Sequence, residues 1–253
     1  MSLQYWANAG ARVALNVVTD AKRRDGERFA FTKRLLRSGY EFDGRMRAPS
    51  HHFLDLYPEA EGLTLTLGDL NYTRSNATPL EMYCLMCIAQ FAAPERIFEI
   101  GTFDGATTLR LALACPEAEV MTLDLDPGSI NLAQPATIAG EVDNVRSGGV
   151  GSKFRGVPAA KRIHQLLGDS TTFDYAPYEG SIDLVFIDAC HDYRFVKSDT
   201  ANALRMVRNG VILWHDYHPG WPGVVQAVDE LLPEHPVMHI AGTTLAMLQI
   251  SGS

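Results

Sequence analysis

From Thr78 onward, short apolar runs alternate with segments of helical periodicity. The early runs are nearly continuous in apolar residues, as in parallel strands that are buried on both faces of a sheet. The runs read RIFEI, EVMTLDL, RIHQLLG, IDLVFID, GVILWHD, VMHI and TLAMLQI. This alternation predicts an α/β fold with a doubly wound, mostly parallel, seven-stranded Rossmann-like sheet. Because only the residues AGT join the last two runs, which is too short for a parallel crossover, the last strand should be antiparallel.

The segment TPLEMYCLMCIAQFAA, which begins at Thr78, carries the signals of a helix N-terminus. Thr78 is the expected N-cap, Pro79 the first helical residue and Glu81 the acid that completes a capping box. Cys84 and Cys87 form a CxxC pair inside this apolar helix, and without a second pair they are interpreted as packing residues. The four cysteines have no framework spacing, which favours reduced thiols and a cytoplasmic location.

Residues 1–75 lack the alternation of apolar runs and helical segments. They are interpreted as an N-terminal helical and loop extension to an α/β domain of residues 76–253. Within the domain, residues 127–160 form an insertion that contains the glycine-rich stretch DNVRSGGVGSKFRG. A long irregular insertion in a compact domain is often a lid or a binding loop, and a disordered excursion is the alternative.

Charge is unevenly distributed along the 253 residues, whose net charge is −8. Residues 1–47 hold ten Lys and Arg against five Asp and Glu, and the acidic remainder argues against nucleic-acid binding. No apolar stretch is long enough for a membrane helix, and the start of the chain lacks the pattern of a secretory signal.

The basic N-terminal head could bind an anion. We favour the alternative of a solvated helix whose apolar side chains pack on the body or on a second subunit. The extension is therefore expected to serve as a lid or in oligomerisation, with a homo-oligomer as the assembly. The apolar residues concerned are Trp6, Phe29, Phe31, Leu35 and Leu36.

The first predicted strand runs directly into a turn with two glycines, in the stretch IFEIGTFDGATTL. In open α/β sheets, ligands bind where the first strand turns into the first helix. Gly101 and Gly105 let the backbone approach a ligand, and the N-terminus of the next helix favours the ligand's negative end. The spacing E-x-G-x-x-x-G is not the dinucleotide fingerprint. Glu99 would repel a pyrophosphate but favour an ammonium or a sulfonium group.

Two further predicted strands end in residues that suit a nucleoside. Asp124 is placed to accept hydrogen bonds from ribose hydroxyls, and the GDS at 168–170 lies where an adenine amino group would be. Together with the glycine turn, these residues point to S-adenosylmethionine (SAM), and the chain resembles the class I SAM-dependent methyltransferases. The residues expected to bind this cofactor are Glu99, Gly101, Thr102, Phe103, Gly105, Asp124, Leu125, Asp169, Ser170 and Asp188.

Two later apolar strands end in Asp188 and in the pair His215-Asp216. Neighbouring strand ends bring such side chains to one rim, where two carboxylates and an imidazole make a site for Mg²⁺ or Mn²⁺ plausible. His191 lies three residues after Asp188 and could take a proton near pH 7. The alternative is structural: a helix cap at Asp188, a satisfied histidine at 215 and a turn acid at 216.

The stretch FIDACHDYRFVKSDTANALRMVRNGVILWHDY is similar to the metal-dependent small-molecule O-methyltransferases of the macrocin and mycinose antibiotic-sugar type. The resemblance covers roughly residues 75–250. It implies that Asp188 and Asp216 hold Mg²⁺ and that His191 is the base. His215 stands where the family often has Asp or Glu, and an imidazole also suits Mn, Fe, Ni or Zn. The expected metal ligands are Asp188, His215 and Asp216, and the expected catalytic residues are His191 and Asp188.

The sequence therefore predicts a SAM-dependent, divalent-metal-dependent O-methyltransferase. Its expected acceptor is a hydroxyl of a small molecule, either a sugar or another vicinal-diol or catechol metabolite. Three alternatives stay open. An NAD(P)-dependent oxidoreductase would use the same architecture, and an iron(II) oxygenase could use Asp188, His191 and His215. A non-catalytic binding protein would keep the pocket without transferring a methyl group.

Overall fold

The computed structural model describes residues 46–65, 77–126 and 149–252. In these ranges the chain forms an eight-stranded sheet with helices on both faces. The strands are β1 Ser50–His51, β2 Arg96–Ile100, β3 Glu119–Asp124, β4 Ile163–Leu167, β5 Ile182–Ile187, β6 Val207–Trp214, β7 Met238–Ile240 and β8 Ala246–Ile250. The α-helices are α1 Phe53–Leu56, α2 Pro79–Ala92, α3 Ala106–Ala114, α4 Tyr193–Met206 and α5 Pro222–Asp229. Short 3-10 helices cover Pro58–Ala60, Pro158–Arg162 and Ala176–Tyr178.

The strand order is β1-β7-β8-β6-β5-β2-β3-β4, with β2 to β6 all parallel to their neighbours in this group. The last strand, β8, is antiparallel to both β6 and β7, which confirms the prediction from the short AGT connection. The chain passes from β2 to β3 on one side and later returns to place β5 on the other side of β2. This change of direction puts the ends of β2 and β5 side by side, at the position where open α/β sheets bind ligands.

The two-residue strand β1 lies outside the seven predicted strands. It pairs in parallel with β7, and a strand of two residues has no hydrophobic period that a sequence could reveal. Just before it, Met46 and Ala48 are buried, and the N–H groups of Arg47 and Ala48 donate to the hydroxyl of Tyr217 at 3.1 and 3.0 Å. Residues 46–51 are therefore anchored to the α/β body.

Several predictions fall on residues that the structure does not describe. The basic head with Trp6, Phe29, Phe31, Leu35 and Leu36 lies outside the described residues, as does the 127–148 part of the insertion.

Apolar side chains fill two cores, one on each face of the sheet, because successive residues of a strand point to opposite sides. On β2, Ile97 packs in the core that contains α2 and α3, whereas Phe98 packs in the core that contains α4 and α5. Cys84 and Cys87 are buried as free thiols on α2, in the first core. None of the helices in the described ranges has the length and apolar character needed to cross a bilayer.

The predicted start of α2 is confirmed. The backbone N–H of Glu81 donates to Oγ1 of Thr78 at 3.3 Å, and the backbone N–H of Thr78 donates to Oε2 of Glu81 at 2.7 Å. Pro79 is the first helical residue. This capping box fixes the N-terminus of α2 and, with it, the position of the Glu81 carboxylate.

Candidate active site

The turn after β2 has left-handed backbone at both glycines, with φ of 106° at Gly101 and 81° at Gly105. A Cβ at position 101 would lie 2.1 Å from the carbonyl oxygen of Asp188, and a Cβ at position 105 would lie 2.5 Å from the ring of Phe154. From the sequence, these glycines were predicted to let the backbone approach a ligand. In the structure, the neighbouring chain segments also require them.

Asp124 holds the glycine turn in place. Its Oδ2 accepts the backbone N–H groups of Thr102 at 3.0 Å and Phe103 at 2.7 Å, and its Oδ1 accepts that of Leu125 at 2.7 Å. Burial raises the pKa of Asp124 above its ordinary value, although these three N–H groups favour the carboxylate. The residue that was predicted to bind ribose therefore also shapes the turn that would lie against the rest of the cofactor.

Glu99 is completely buried behind the turn. The hydroxyls of Thr108 and Thr122 both donate to its Oε2, whereas Oε1 is buried and has no hydrogen-bond partner in the described part of the chain. Burial raises the pKa of Glu99 to about 8, against the effect of the two hydroxyl donors. The unpaired buried Oε1 lies at the ligand end of the strand and would accept from a cationic N–H donor such as the ammonium group of SAM. Such a cation would favour the ionised form of Glu99.

The GDS segment follows β4 at the same edge of the sheet. The N–H of Gly168 donates to the carbonyl of Asp124 at 2.9 Å, which joins this segment to the end of β3. Oδ1 of Asp169 accepts the backbone N–H of Thr171 at 2.9 Å and its hydroxyl at 2.7 Å. Asp169 therefore stabilises a local turn, and the structure keeps it and Ser170 at the edge where an adenine was predicted.

The described end of the insertion packs against the glycine turn. The N–H of Gly151 donates to the carbonyl of Phe103 at 2.9 Å, and that of Lys153 donates to the carbonyl of Asp104 at 2.8 Å. Residues 149–154 therefore form one wall beside the turn.

At the ends of β5 and β6, the structure brings Asp188, His215 and Asp216 together, with one ligand atom from each within 4.8 Å of the others. Nδ1 of His215 lies 3.0 Å from Oδ1 of Asp188 and 3.1 Å from Oδ2 of Asp216. Donor atoms that share an octahedral cation at about 2.1 Å are about 3 Å apart, so the spacing fits a divalent metal. These three residues are called the donor cluster below.

The backbone of Asp216 is left-handed, with φ of 57°, which is uncommon for a residue other than glycine. Two contacts with Thr244 hold it: the Asp216 N–H donates to Oγ1 of Thr244 at 3.2 Å, and the Tyr217 N–H donates to the Thr244 carbonyl at 2.8 Å. This turn directs the Asp216 carboxylate back towards the end of β5.

The charges in the donor cluster are strongly coupled. Burial disfavours the imidazolium of His215, but the carboxylates of Asp188 and Asp216 outweigh it and place the pKa of His215 well above its ordinary value. Burial likewise opposes the charge of Asp216, yet His215 and His191 hold the pKa of Asp216 far below its ordinary value. A cation bound between the carboxylates would replace the proton on Nδ1 of His215.

His191 lies beside the donor cluster, as the sequence predicted. Its Nε2 is 2.8 Å from Oδ2 of Asp216, and its ring stacks on Trp221 with centroids 4.1 Å apart. Trp214, by contrast, is fully buried and donates from Nε1 to Oγ1 of Thr200 at 2.9 Å. Trp221 therefore orients the candidate base, while Trp214 belongs to the core.

Sequence reasoning missed a second function of Glu81. Its Oε2 lies 3.4 Å from Nε2 of His215, and its Oε1 accepts the N–H and the hydroxyl of Thr244, both at 2.7 Å. Burial opposes the charge, but His215, Thr244 and Thr78 together lower the pKa of Glu81 to about 2. Glu81 could be recognised only as a capping acid, because no local signal indicates a partner 134 residues away.

The donor cluster contains two carboxylates and one imidazole. The iron(II) oxygenase alternative would instead require two imidazoles and one carboxylate. With Nε2 of His191 directed at Asp216, this arrangement favours the hard-metal interpretation over the oxygenase alternative.

Comparison with known proteins gives a consistent result. The methyltransferase-domain family matches residues 98–217, a range that contains the glycine turn and the donor cluster. Tricin synthase 2 of Oryza sativa subsp. japonica is 26% identical over 175 residues, or 68% of this chain and 54% of that protein. The chain thus spans about half the length of this relative.

Two solved structures are similar. The SAH-bound methyltransferase PaMTH1 of Podospora anserina has a TM-score of 0.50 at 18% identity, with 78% of this chain and 86% of that chain covered. The SAM-bound O-methyltransferase TomG of Streptomyces achromogenes has a TM-score of 0.49 at 17% identity, with 82% and 92% covered. The first of these shows the shared fold. Residues 98–217 of this chain thus match the methyltransferase-domain family, and the chain shares the fold of PaMTH1.

Proposed function

We propose that the chain is an O-methyltransferase that uses SAM and a divalent cation, Mg²⁺ or Mn²⁺, to methylate one hydroxyl of a vicinal pair on a small molecule. One observation carries the proposal. The Asp188 N–H donates to the carbonyl of Ile100 at 2.8 Å, and the Asp188 carbonyl lies against Gly101. The cofactor turn and the donor cluster are thus in direct contact, as a transfer between two bound reactants requires.

On the donor side, SAM supplies a methyl group carried on a positively charged sulfur. The turn that Asp124 braces would hold it, with the lone pairs left on the Asp124 carboxylate available to ribose hydroxyls. The unpaired Oε1 of Glu99 would accept from the ammonium group. Asp169 and Ser170, at the end of β4, would contact the adenine.

On the acceptor side, a divalent cation supplies a Lewis acid that lowers the pKa of a bound hydroxyl. Asp188, His215 and Asp216 are the residues that would hold it. Three protein ligands leave positions open in an octahedral shell. A second oxygen next to the acceptor hydroxyl can complete a chelate at little further entropic cost, which favours vicinal diols and catechols.

His191 is the proposed base. With its Nε2–H donated to Asp216, the lone pair is on Nδ1, which would accept the hydroxyl proton. Stacking on Trp221 fixes the plane of the ring, so that the direction of Nδ1 is set before the acceptor binds. The two contacts together pre-orient the base at the edge of the donor cluster.

The charge of the chain and its resemblance to known enzymes both indicate a substrate class. A net charge of −8 on the chain disfavours polyanionic acceptors. The wall of residues 149–154 beside the glycine turn suits a molecule of modest size. The similarity of the stretch at 186–217 to the antibiotic-sugar enzymes favours a sugar or a glycosylated metabolite.

For the rest of the chain, we propose that the N-terminal extension of residues 1–75 covers the active site and joins subunits of a homo-oligomer, next to the methyltransferase domain of residues 76–253. The anchoring of residues 46–51 supports this, because it holds this part of the extension against the body at Tyr217, one residue after Asp216. Light scattering of the full chain and of a chain that starts at Met46 tests the assembly. A monomeric full chain at micromolar concentration would contradict it.

Two experiments test the reaction. Calorimetry with SAM, its demethylated product and NADH separates the methyltransferase from an oxidoreductase, and we expect binding of the first two at micromolar affinity or better. A panel of sugar diols, catechols and amines with labelled SAM then identifies the acceptor. Label that appears only on amines or on nucleic acid would contradict the proposal.

A further inference from the structure

The imidazole of His215 is held from both sides. Its Nδ1 lies 3.0 and 3.1 Å from carboxylate oxygens of the donor cluster, and its Nε2 lies 3.4 Å from Oε2 of Glu81. Only 9% of the His215 side chain and 4% of the Glu81 side chain are exposed, so water has little access to either contact. The two ring nitrogens therefore have different and fixed surroundings.

Glu81 is itself fixed from three directions. The backbone N–H of Thr78 donates to its Oε2 at 2.7 Å, and the N–H and hydroxyl of Thr244 donate to its Oε1 at 2.7 Å each. With three donors at normal hydrogen-bond length, the carboxylate keeps one orientation. Its Oε2 can accept the proton of His215 Nε2 without losing another partner, because a carboxylate oxygen has two lone pairs.

The same network reaches the third member of the donor cluster. The hydroxyl of Thr244 donates to Glu81 and accepts the backbone N–H of Asp216 at 3.2 Å. Glu81 is thus joined to His215 directly and to Asp216 through one hydroxyl. Glu81 lies on α2, which precedes β2, whereas the three residues of the donor cluster follow β5 and β6.

We propose that Glu81 is a positioning residue that keeps the proton of metal-bound His215 on Nε2 and so makes Nδ1 the ligand atom. The inference rests on the proposed metal site. Histidine ligands usually donate their second ring N–H to a carboxylate or carbonyl, which fixes the tautomer and the ring orientation. Nδ1 is the nitrogen that faces both aspartates, so a shift of the proton to Nδ1 would remove the imidazole from the ligand set.

The test compares the full-length chain with Glu81→Ala, Glu81→Gln and Thr78→Ala. Thr78→Ala is the matched control, because it removes the side-chain half of the capping box and leaves the contact between Glu81 and His215 in place. Electron paramagnetic resonance titration of free Mn²⁺ gives the affinity. We expect binding 10- to 100-fold weaker in Glu81→Ala, a smaller loss in Glu81→Gln and a change below about twofold in Thr78→Ala.

A second readout reports the tautomer itself. Long-range ¹H–¹⁵N correlation spectra of the Mg²⁺-loaded chain, with His215 assigned from the spectrum of His215→Asn, show which nitrogen is protonated. We expect the proton on Nε2 in the wild type and a mixture of tautomers in Glu81→Gln. This readout keeps the test valid if Glu81→Ala does not fold, and a purely structural role of Glu81 would not change it.

The outcomes separate the inference from the proposed function. Wild-type Mn²⁺ binding that Glu81→Ala leaves unchanged, or a proton on Nδ1 in the Mg²⁺-loaded wild type, would overturn the inference alone. A wild-type chain that transfers methyl groups but binds no Mn²⁺ would overturn the metal site and the inference with it.

Discussion

The carbonyl oxygen of Asp188 fills the space that a side chain at Gly101 would need, since a Cβ at position 101 would lie 2.1 Å from it. This close approach joins the turn after β2 to the end of β5, and it brings the proposed methyl donor next to the proposed metal. Contact between these two strand ends follows from the change of direction of the sheet at β2 and β5.

We expect Gly101→Ala to weaken binding of SAM and of its demethylated product at least tenfold, because the clash must displace either the turn or Asp188. Gly180→Ala is the matched control. Gly180 also has positive φ, at 62°, but a Cβ there meets nothing within 4 Å, so it should cost only about 1–2 kcal/mol of stability and leave binding unchanged. Calorimetry of both variants decides the matter, and equal affinities would contradict the account.

Asp124→Ala should weaken SAM binding by roughly 1–3 kcal/mol, because ribose hydroxyls and the turn's N–H groups would both lose an acceptor. The control is Glu119→Gln, which removes a negative charge from the exposed opposite end of the same strand. Isothermal calorimetry should show the loss only in Asp124→Ala. If Glu119→Gln weakened SAM binding as much as Asp124→Ala does, the loss would come from the change in net charge and not from the contacts of Asp124.

Asp188→Asn and Asp216→Asn should each abolish metal-supported methyl transfer and leave SAM binding largely intact, since the substitutions keep the backbone that faces Gly101. Asp183→Asn provides the comparison at the opposite end of β5. There the carboxylate accepts the N–H groups of Glu95 and Arg96 at 2.9 Å, and an amide oxygen can still accept them. Full turnover of the two cluster variants would contradict the assignment of the ligands.

The pKa of Glu99 predicts a specific dependence of stability on pH. In the unfolded chain the carboxyl titrates near 4.5, whereas in the fold its pKa is about 8. Between these values the folded state keeps a proton that the unfolded state has lost. The free energy of unfolding should therefore fall as pH rises, by up to about 1.4 kcal/mol per pH unit, and this contribution should be absent below pH 4.5 and level off above pH 8.

Urea unfolding of the wild type and of Glu99→Gln between pH 5 and 9 measures this contribution. The variant should have a shallower slope than the wild type, with a remainder below pH 7 because burial raises the pKa of Asp199 to about 7. Glu179→Gln, at an exposed position, should keep the wild-type slope. Parallel pH profiles for the wild type and Glu99→Gln would show that Glu99 titrates normally in the fold.

Much of the fold was accessible from the sequence because its signals are local. The start of α2 could be predicted from Thr78 and Glu81, which are three residues apart, and the direction of β8 from a short connection. The two-residue strand β1 could not be predicted, because it is too short to show a hydrophobic pattern. It forms only by pairing with β7, whose residues lie 189 positions further along the chain.

The candidate site, too, could be predicted from the sequence only in part. Strand ends placed Asp188, His215 and Asp216 at one rim, because parallel strands share an edge. The contacts of Glu81 with His215 and of Asp124 with the glycine turn depend on how separate elements pack. Residue type and spacing gave no information about them.

The most direct test of the account is transfer of the labelled methyl group from SAM to a vicinal-diol sugar or a catechol, measured with Mg²⁺, with chelator and in His191→Ala. We expect product in the first case and at least 100-fold less in the other two. SAM binding should persist in His191→Ala, because His191 contacts Asp216 in the donor cluster and stacks on Trp221. Full turnover in the presence of chelator, or an unchanged rate in His191→Ala, would contradict the central claim.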